Sequence, residues 1–282
     1  MNDDTHAAET AETAKTAKAA KMAKAAKMAR IRREPPPYRR VRVRSVEPLT
    51  PHMSRVVLTG DELDGFAIEA PASSVRLLLP PSDSDELVMV TWTGNQFELP
   101  DGSRPPIRTF TPRRFNAERN ELTLDFVLHD HGAATDWVRR AAPGDEVAVS
   151  GPGRSEELAP DARSHLLVGD ESAIPAIAQL LEWIPEDRSV VAHIEIRSAD
   201  ARLELPEHAG AIVSWHELPA GAEPGDAMAD AVMGVSELSD DIWVAGEAAA
   251  VHRLRTHLFD ERGRDRSSVT ARGYWKRGRS AT

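Results

Sequence analysis

The chain contains no cysteine, and that single absence removes several classes of protein. Disulfides, thiolate metal sites, cysteine-ligated iron–sulfur clusters and a cysteine nucleophile are all excluded. A reductase built from such a chain must carry electrons on a bound organic cofactor. Long apolar runs are also missing: no stretch approaches the roughly 18 consecutive apolar residues of a membrane helix, so no membrane insertion is expected. The opening Met1-Asn2-Asp3-Asp4 has no basic region followed by an apolar core. No secretory leader is therefore expected, and the cytoplasm is the expected location.

What is present supports a folded core. A chain of 282 residues with 41% hydrophobic and 28% charged residues suits one large domain or two ordinary ones. The net charge of −10 is unevenly spread. Residues 1–44 hold twelve Lys/Arg against five Asp/Glu, a surplus of +7, and the remainder carries −17. Such an acidic body does not suit nucleic acid, which needs a basic face. An anionic substrate would have to be drawn in by a local cluster of bases.

Residues 10–30 place Lys or Arg at every third position from Lys15 to Arg30 among alanines. A three-residue period drifts around a helix and leaves no apolar stripe to bury. Residues 1–37 therefore read as a basic arm, frayed helix or disordered, closed by the stiff Pro35-Pro36-Pro37. From Tyr38 the pattern is β: short apolar runs at 41–46, 53–58, 75–79, 87–92, 122–128 and 146–149, separated by Gly, Pro, Asp and Asn, with one helix at 134–141. That rhythm predicts an antiparallel β-barrel over 38–157. Over 158–282 strands alternate with helices: strands at 166–168, 190–196, 211–215, 242–245 and 269–274, helices at 173–183, 227–235 and 248–259. This predicts an α/β domain with a parallel sheet and a nucleotide at its strand ends.

Four stretches carry chemistry. Arg108-Thr109-Phe110-Thr111 offers a guanidinium, two hydroxyls and a flat ring within four residues, which suits a planar, phosphate-bearing cofactor. The same residues also suit an ordinary barrel strand, with Arg113 and Arg114 as solvated neighbours. His129-Asp130-His131-Gly132-Ala133-Ala134-Thr135-Asp136-Trp137 follows a strand directly, and small residues at a helix start make an anion site fit for a pyrophosphate. Thr135 as a plain helix cap is the other reading, and two histidines without a third ligand do not make a metal site. Gly169-Asp170-Glu171-Ser172-Ala173-Ile174-Pro175 and Gly246-Glu247 each join a strand to a helix. Neither is the three-glycine dinucleotide fingerprint. Near the end, Ala271-Arg272-Gly273-Tyr274-Trp275-Lys276-Arg277-Gly278 sets two aromatics beside two bases.

In this order the motifs resemble the siderophore-interacting protein family, flavin-dependent ferric-siderophore reductases related to ferredoxin reductases. The resemblance covers residues 38–278. The family's Arg-Thr-Tyr-Thr flavin motif corresponds to Arg108–Thr111, its Asp-Phe-Val-x-His strand to Asp125-Phe126-Val127-Leu128-His129, and its Gly-Pro-Ala-Ser/Thr-x-Trp turn to Gly132–Trp137. The Gly-Asp-Glu-Thr/Ser-Ala-x-Pro motif is Gly169–Pro175, followed by Gly246-Glu247 and the Gly-Tyr-Trp-Arg/Lys-x-Gly signature at Gly273–Gly278. Two positions depart. Phe110 stands for tyrosine, keeping the ring but losing the phenol's hydrogen bond, and Ala133 stands for proline, which restores an N–H donor.

The resemblance implies an FAD-binding barrel, an NAD(P)H-binding α/β domain, and electrons passed from nicotinamide through flavin to siderophore-bound Fe(III). It implies FAD contacts from Arg108, Thr109, Phe110, Thr111, Asp125, Val127, His129, Gly132, Ala134, Thr135 and Trp275. NAD(P)H contacts would come from Asp170, Glu171, Ser172, Ala173 and Glu247. Arg76, Arg154 and Lys276 would meet the anionic ferric siderophore, and the flavin, not a side chain, would carry the chemistry. No protein-bound metal is implied, and the chain is expected to be a monomer. Arg197 and Arg202 could meet the 2′-phosphate of NADPH, NADH is open, and ferredoxin is an alternative donor. Two rival functions stand: a flavoprotein reductase for another acceptor, and a siderophore-binding protein without catalysis.

Overall fold

The structure, a computed structural model, describes residues 35–82, 84–130, 132–153, 155 and 159–278. The expected arm before Pro35, His131, Arg154 and the expected domain boundary at 157/158 lie outside the described residues.

The first half is β. Its strands are β1 (Tyr38–Thr50), β2 (Met53–Thr59), β3 (Val75–Leu78), a small hairpin of β4 (Thr91–Trp92) and β5 (Phe97–Glu98), then β6 (Ile107–Phe110), β7 (Pro112–Asn116), β8 (Glu121–Val127) and β9 (Glu146–Ser150). Seven of them form one antiparallel sheet in the order β6-β3-β9-β1-β2-β8-β7. Its two outermost strands, β6 and β7, are separated in the chain by Thr111 alone. The sheet must therefore curl until its edges come together, which makes it a barrel. Alternation drives the curl: Val41 and Val43 of β1 are buried while Arg40, Arg42 and Arg44 stay outside or at the margin. The interior is filled by Val56, Leu58, Leu77, Leu122, Leu124, Phe126, Val147 and Val149. Helix α1 (Ala133–Arg140) covers the opening with Trp137 and Val138.

The second half is a five-stranded parallel sheet of β10 (Ser164–Gly169), β11 (Ser189–Ile196), β12 (Ala211–Glu217), β13 (Asp241–Glu247) and β14 (Val269–Trp275), ordered β12-β11-β10-β13-β14. Helix α2 (Ile174–Trp183) packs on one face, and α3 (Asp226–Met233) and α4 (Ala248–Thr256) on the other. The strand order reverses between β10 and β13. In open α/β sheets the crevice beyond the carboxyl ends of such a pair is where ligands lie.

Three local expectations change. Of the apolar run 87–92 only Thr91–Trp92 is strand, because Leu87, Met89 and Val90 fold over the outer face of the barrel. The strand expected at Arg108–Thr111 breaks at Thr111, and Pro112–Asn116 forms a separate edge strand with the proline at its first position. The last helix stops its α-turns at Thr256 and runs on as a π-turn, His257–Glu261.

The halves are fused through α2. Met53 and Ala72 of the barrel share one buried cluster with Ile174, Ile177 and Leu181. Buried Gln179 accepts from the Ala72 N–H (2.9 Å) and donates to the Pro112 carbonyl (2.7 Å).

Candidate active site

Strand β8 delivers the chain to the first part of the site. Where it ends, Thr135 Oγ1 accepts from the His129 N–H at 3.2 Å, and Arg139 donates to the carbonyls of Asp130 (3.1 Å) and His129 (3.0 Å). These bonds hold His129 and Asp130 against the helix that follows. Gly132 sits at φ 146°, where a side chain would be strained, and the space beside it is open. No side-chain cap closes the first turn of α1. Its backbone N–H groups and dipole are thus available to an anion. Thr135, expected either as cap or as phosphate contact, is buried and ties the turn through His129.

Strand β6 supplies the second part, and pairing fixes which way its residues point. Phe110 lies opposite Val75 and Arg108 opposite Leu77, on the face of the barrel interior, whereas Thr109 lies opposite Arg76 on the outer face. The four-residue motif is therefore split. Arg108 is half-buried, donates to its own Ile107 carbonyl at 2.8 Å, and has its pKa lowered by burial. Phe110 stands 4.3 Å from Phe126, centroid to centroid, and Phe126 stands 5.7 Å from Trp137. A continuous aromatic contact thus joins β6 to α1. Thr111 is buried at the strand corner. The Thr109 side chain lies across the sheet from the Arg108–Phe110 face, because neighbouring side chains on a strand alternate.

Two further expectations shift for electrostatic reasons. Asp125 is buried in a bidentate pair with Arg55 of the adjacent strand (2.7 and 2.9 Å), so its oxygens serve the barrel. Arg113 is not solvated. It is buried against Glu182 of α2 in a two-pronged pair of 2.9 and 2.8 Å, with exposed Arg114 adding a third bond.

The third part is the switch point. Asp170, at the end of β10, is fully enclosed. Its Oδ1 accepts from the N–H and hydroxyl of Ser172 (2.9 and 2.5 Å), and its Oδ2 accepts from the Glu247 N–H (2.8 Å) and the Trp275 indole (2.7 Å). One carboxyl thereby pins the ends of β10, β13 and β14. Gly246 lets β13 come this close, since a Cβ there would meet Asp170 Oδ2 at 2.6 Å. Burial pushes the Asp170 carboxyl above the ordinary aspartate range, against the pull of its donors. Glu247 caps α4 by accepting from Ala249 and Ala250 and also accepts from the Arg277 N–H.

Glu171 is held by Arg197, whose guanidinium also reaches the carbonyl of Leu128, just after β8, at 3.0 Å. Arg197 is therefore engaged between the two halves, and Arg202 pairs with Glu217 at 3.5 Å. Ala173 is wholly buried and donates to the Asp170 carbonyl, so it packs the turn and its side chain meets no solvent. Of the five residues expected around the nicotinamide nucleotide, Ser172 keeps a partly open surface.

Trp275 brings the parts together. Held by Asp170, its ring lies 5.9 Å from that of His129 at the end of β8. Val127, just before, packs on the cluster shared by both halves. Burial, with Arg197 nearby, lowers the His129 pKa and keeps its imidazole neutral at pH 7. Arg76 and Lys276 are exposed. Sequence reasoning missed Arg139 and Gln179, and neither carries a signal, since a base in a last helical turn and a glutamine in an apolar helix are ordinary. No helix among the described residues is long and apolar enough to cross a membrane.

An antiparallel barrel followed by a parallel sheet is the fold also of a ferredoxin reductase in carbazole 1,9a-dioxygenase, which superposes with a TM-score of 0.63 at 15% identity, covering 86% of this chain and 71% of the other. Residues 42–156 match the siderophore-interacting FAD-binding domain, and residues 162–278 match the siderophore-interacting protein domain. The NADPH-dependent ferric-chelate reductase of Escherichia coli is 31% identical over 246 residues, covering 84% of this chain and 92% of the relative. Ferric vibriobactin reductase ViuB of Vibrio cholerae is 30% identical over 233 residues, covering 81% and 86%. The crystal structure of a siderophore utilization protein from T. fusca superposes with a TM-score of 0.78 at 33% identity, covering 88% of this chain and 96% of the other. The chain belongs to the siderophore-interacting protein family, and its cofactor is FAD. The residues present fit that group: an open turn with uncapped N–H groups, a half-buried arginine beside a ring, and a cleft facing both.

Proposed function

We propose that this protein reduces ferric siderophores, using FAD and NADPH, and releases the iron as Fe(II). The observation that carries the proposal is the Asp170–Trp275–His129 contact, which sets the nucleotide-type switch point against the phosphate-type turn of the barrel. The two relatives named as ferric-chelate and ferric vibriobactin reductases support the same substrate.

When bound, the flavin converts one hydride, two electrons, into two single-electron transfers to two Fe(III) centres. The chain's own residues bind and orient. The N–H groups of Ala133, Ala134 and Thr135 would hold the pyrophosphate, with Gly132 leaving room for it. Arg108 would offset phosphate charge, and the exposed part of Phe110 would meet the ring system. His129, being neutral, donates or accepts without adding charge beside the adenosine half. Ser172 and the N-terminal turn of α2 would receive the nicotinamide nucleotide, while Asp170 holds Trp275 at the boundary between the cofactors. Arg76 and Lys276 would draw an anionic chelate to a body that is otherwise strongly acidic. In this reading the barrel spans 38–157 and the nucleotide domain 158–282. The protein works as a monomer in the cytoplasm, where NADPH is supplied.

The test is anaerobic reduction of the FAD-loaded chain, with NADPH, NADH and reduced ferredoxin compared side by side. NADPH is expected to bleach the visible flavin band, and a ferric siderophore to restore it. A chain that takes up no FAD overturns the proposal. Bleaching that no ferric chelate reverses assigns the electrons to another acceptor. Arg108→Ala is expected to weaken FAD binding by about tenfold or more, as loss of a charge-assisted contact does, measured by titration of the apo chain. Unchanged affinity removes Arg108 from the site.

A further inference from the structure

Arg197 follows β11 directly and bonds to both halves of the molecule. Its backbone N–H and Nε donate to Glu171 Oε1 at 2.7 and 3.1 Å, and Nε and Nη2 reach Oε2 at 2.9 and 2.7 Å. Nη1 donates to the Leu128 carbonyl at 3.0 Å. One planar fork thus holds a buried carboxylate of the nucleotide half and the backbone of the barrel.

The neighbours of those two partners are the residues assigned to the cofactors. Glu171 lies between Asp170 and Ser172 in the turn that opens α2, and Asp170 fixes that turn through the Ser172 N–H and hydroxyl. Leu128 is followed by His129, whose N–H donates at 3.2 Å to Thr135 Oγ1 in the first turn of α1. A path therefore runs from Ser172 through Glu171, Arg197, Leu128 and His129 to Thr135, and every step is covalent or hydrogen-bonded.

Joining the halves does not by itself require this route. Gln179 joins them inside the shared core, and His52 joins them at the surface, 3.2 Å from Asp200 and 3.3 Å from Ser198. Those side chains bond to neither the 129–135 turn nor the 170–173 turn, whereas Arg197 bonds within one and immediately before the other. The charges agree with the geometry. At His129, burial and then Arg197 lower the pKa, while Glu171, Asp170 and Asp130 raise it, so groups from both halves act on one imidazole.

We infer that Arg197 is a positioning residue that couples the two cofactor sites: a nicotinamide nucleotide seated at the Ser172 turn tightens FAD binding at the 129–135 turn, and FAD tightens nucleotide binding in return. The inference rests on the reading above and adds a regulation to that site. A nucleotide on the Ser172 turn fixes Glu171, Glu171 fixes the fork, and the fork fixes the Leu128 carbonyl ahead of His129. No hinge is needed, since each contact is already made.

The test measures the FAD affinity of the full apo chain with and without saturating NADP+, which binds without reducing flavin. NADP+ is expected to tighten FAD about fivefold or more in the parent, and less than about twofold in Arg197→Gln and Glu171→Gln. His52→Gln, which cuts the surface tie, is expected to keep the parent ratio. Titration of His129 by NMR separates coupling from loss of structure. Its pKa should rise in Arg197→Gln, where a cation is removed, and fall in Glu171→Gln, where an anion is removed. A parent ratio of one, an unchanged ratio in Arg197→Gln, or an equal loss in His52→Gln overturns the coupling. A His129 pKa that moves the same way in both variants also overturns it. A parent flavin that no nicotinamide nucleotide bleaches sinks the reading above as well, whereas bleaching with a ratio of one sinks the coupling alone.

Discussion

Asp170 has four donors on two oxygens. An asparagine cannot reproduce this, because its amide NH2 must face either the Ser172 donors or the Glu247 and Trp275 donors. Asp170→Asn is therefore expected to cost roughly 1–3 kcal/mol. The cost has a pH dependence of known sign. The carboxyl's folded pKa is raised above its ordinary value of 3.8. A raised acid stabilises the fold fully below the unfolded pKa, and that contribution is lost as pH rises through the folded one. The parent's advantage over Asp170→Asn should therefore be largest in acid and narrow as pH rises. Urea unfolding of both proteins between about pH 4 and pH 8 measures this. An advantage that widens with pH contradicts the assignment. The family motif makes Asp170 visible in the sequence, but not its task. Nothing local shows that its partners lie on strands 77 and 105 residues away.

Helix α2 shows which elements the sequence made legible and which it did not. Its apolar run and the strand before it are plain in the chain, as are the alternating barrel strands. The burial of Arg113 was not, because two arginines following Arg108–Thr111 read as solvated neighbours of a strand. Arg113 is buried only because Glu182, on α2, arrives to receive it. Periodicity reports which face of an element is apolar, whereas a buried ion pair depends on a partner the window does not contain. The alternation rule was available for Arg108 to Thr111 and would have separated Thr109 from Phe110. Gln179 is the other link made by α2. Gln179→Leu keeps the volume but strands the Ala72 N–H and the Pro112 carbonyl in a dry interface. It is expected to cost about 2–4 kcal/mol, read from the denaturation midpoint, and a neutral result would show that water reaches both groups.

At the scale of the molecule, each sheet has a core of its own and the two share a third buried cluster. Met53 and Ala72 lie in the same buried cluster as the face of α2, and Arg197 ties Glu171 to the end of β8. Inter-domain contacts of a looser kind permit hinge motion by default, but a shared core does not. Unfolding is therefore expected as one transition, with far-UV circular dichroism and tryptophan fluorescence coincident in urea. Two separated transitions would show that the halves melt independently. An isolated 38–157 fragment should expose Met53 and Ala72 and aggregate.

The pin at the switch point also sets an order of manufacture. Asp170 waits through 105 residues of chain for the indole that completes it. During synthesis the barrel, with the open turn before α1, is made first, and the crevice at the strand ends stays unfinished until β14 emerges. The crevice at the strand ends is therefore the last part of the molecule to close, once the Trp275 indole meets Asp170.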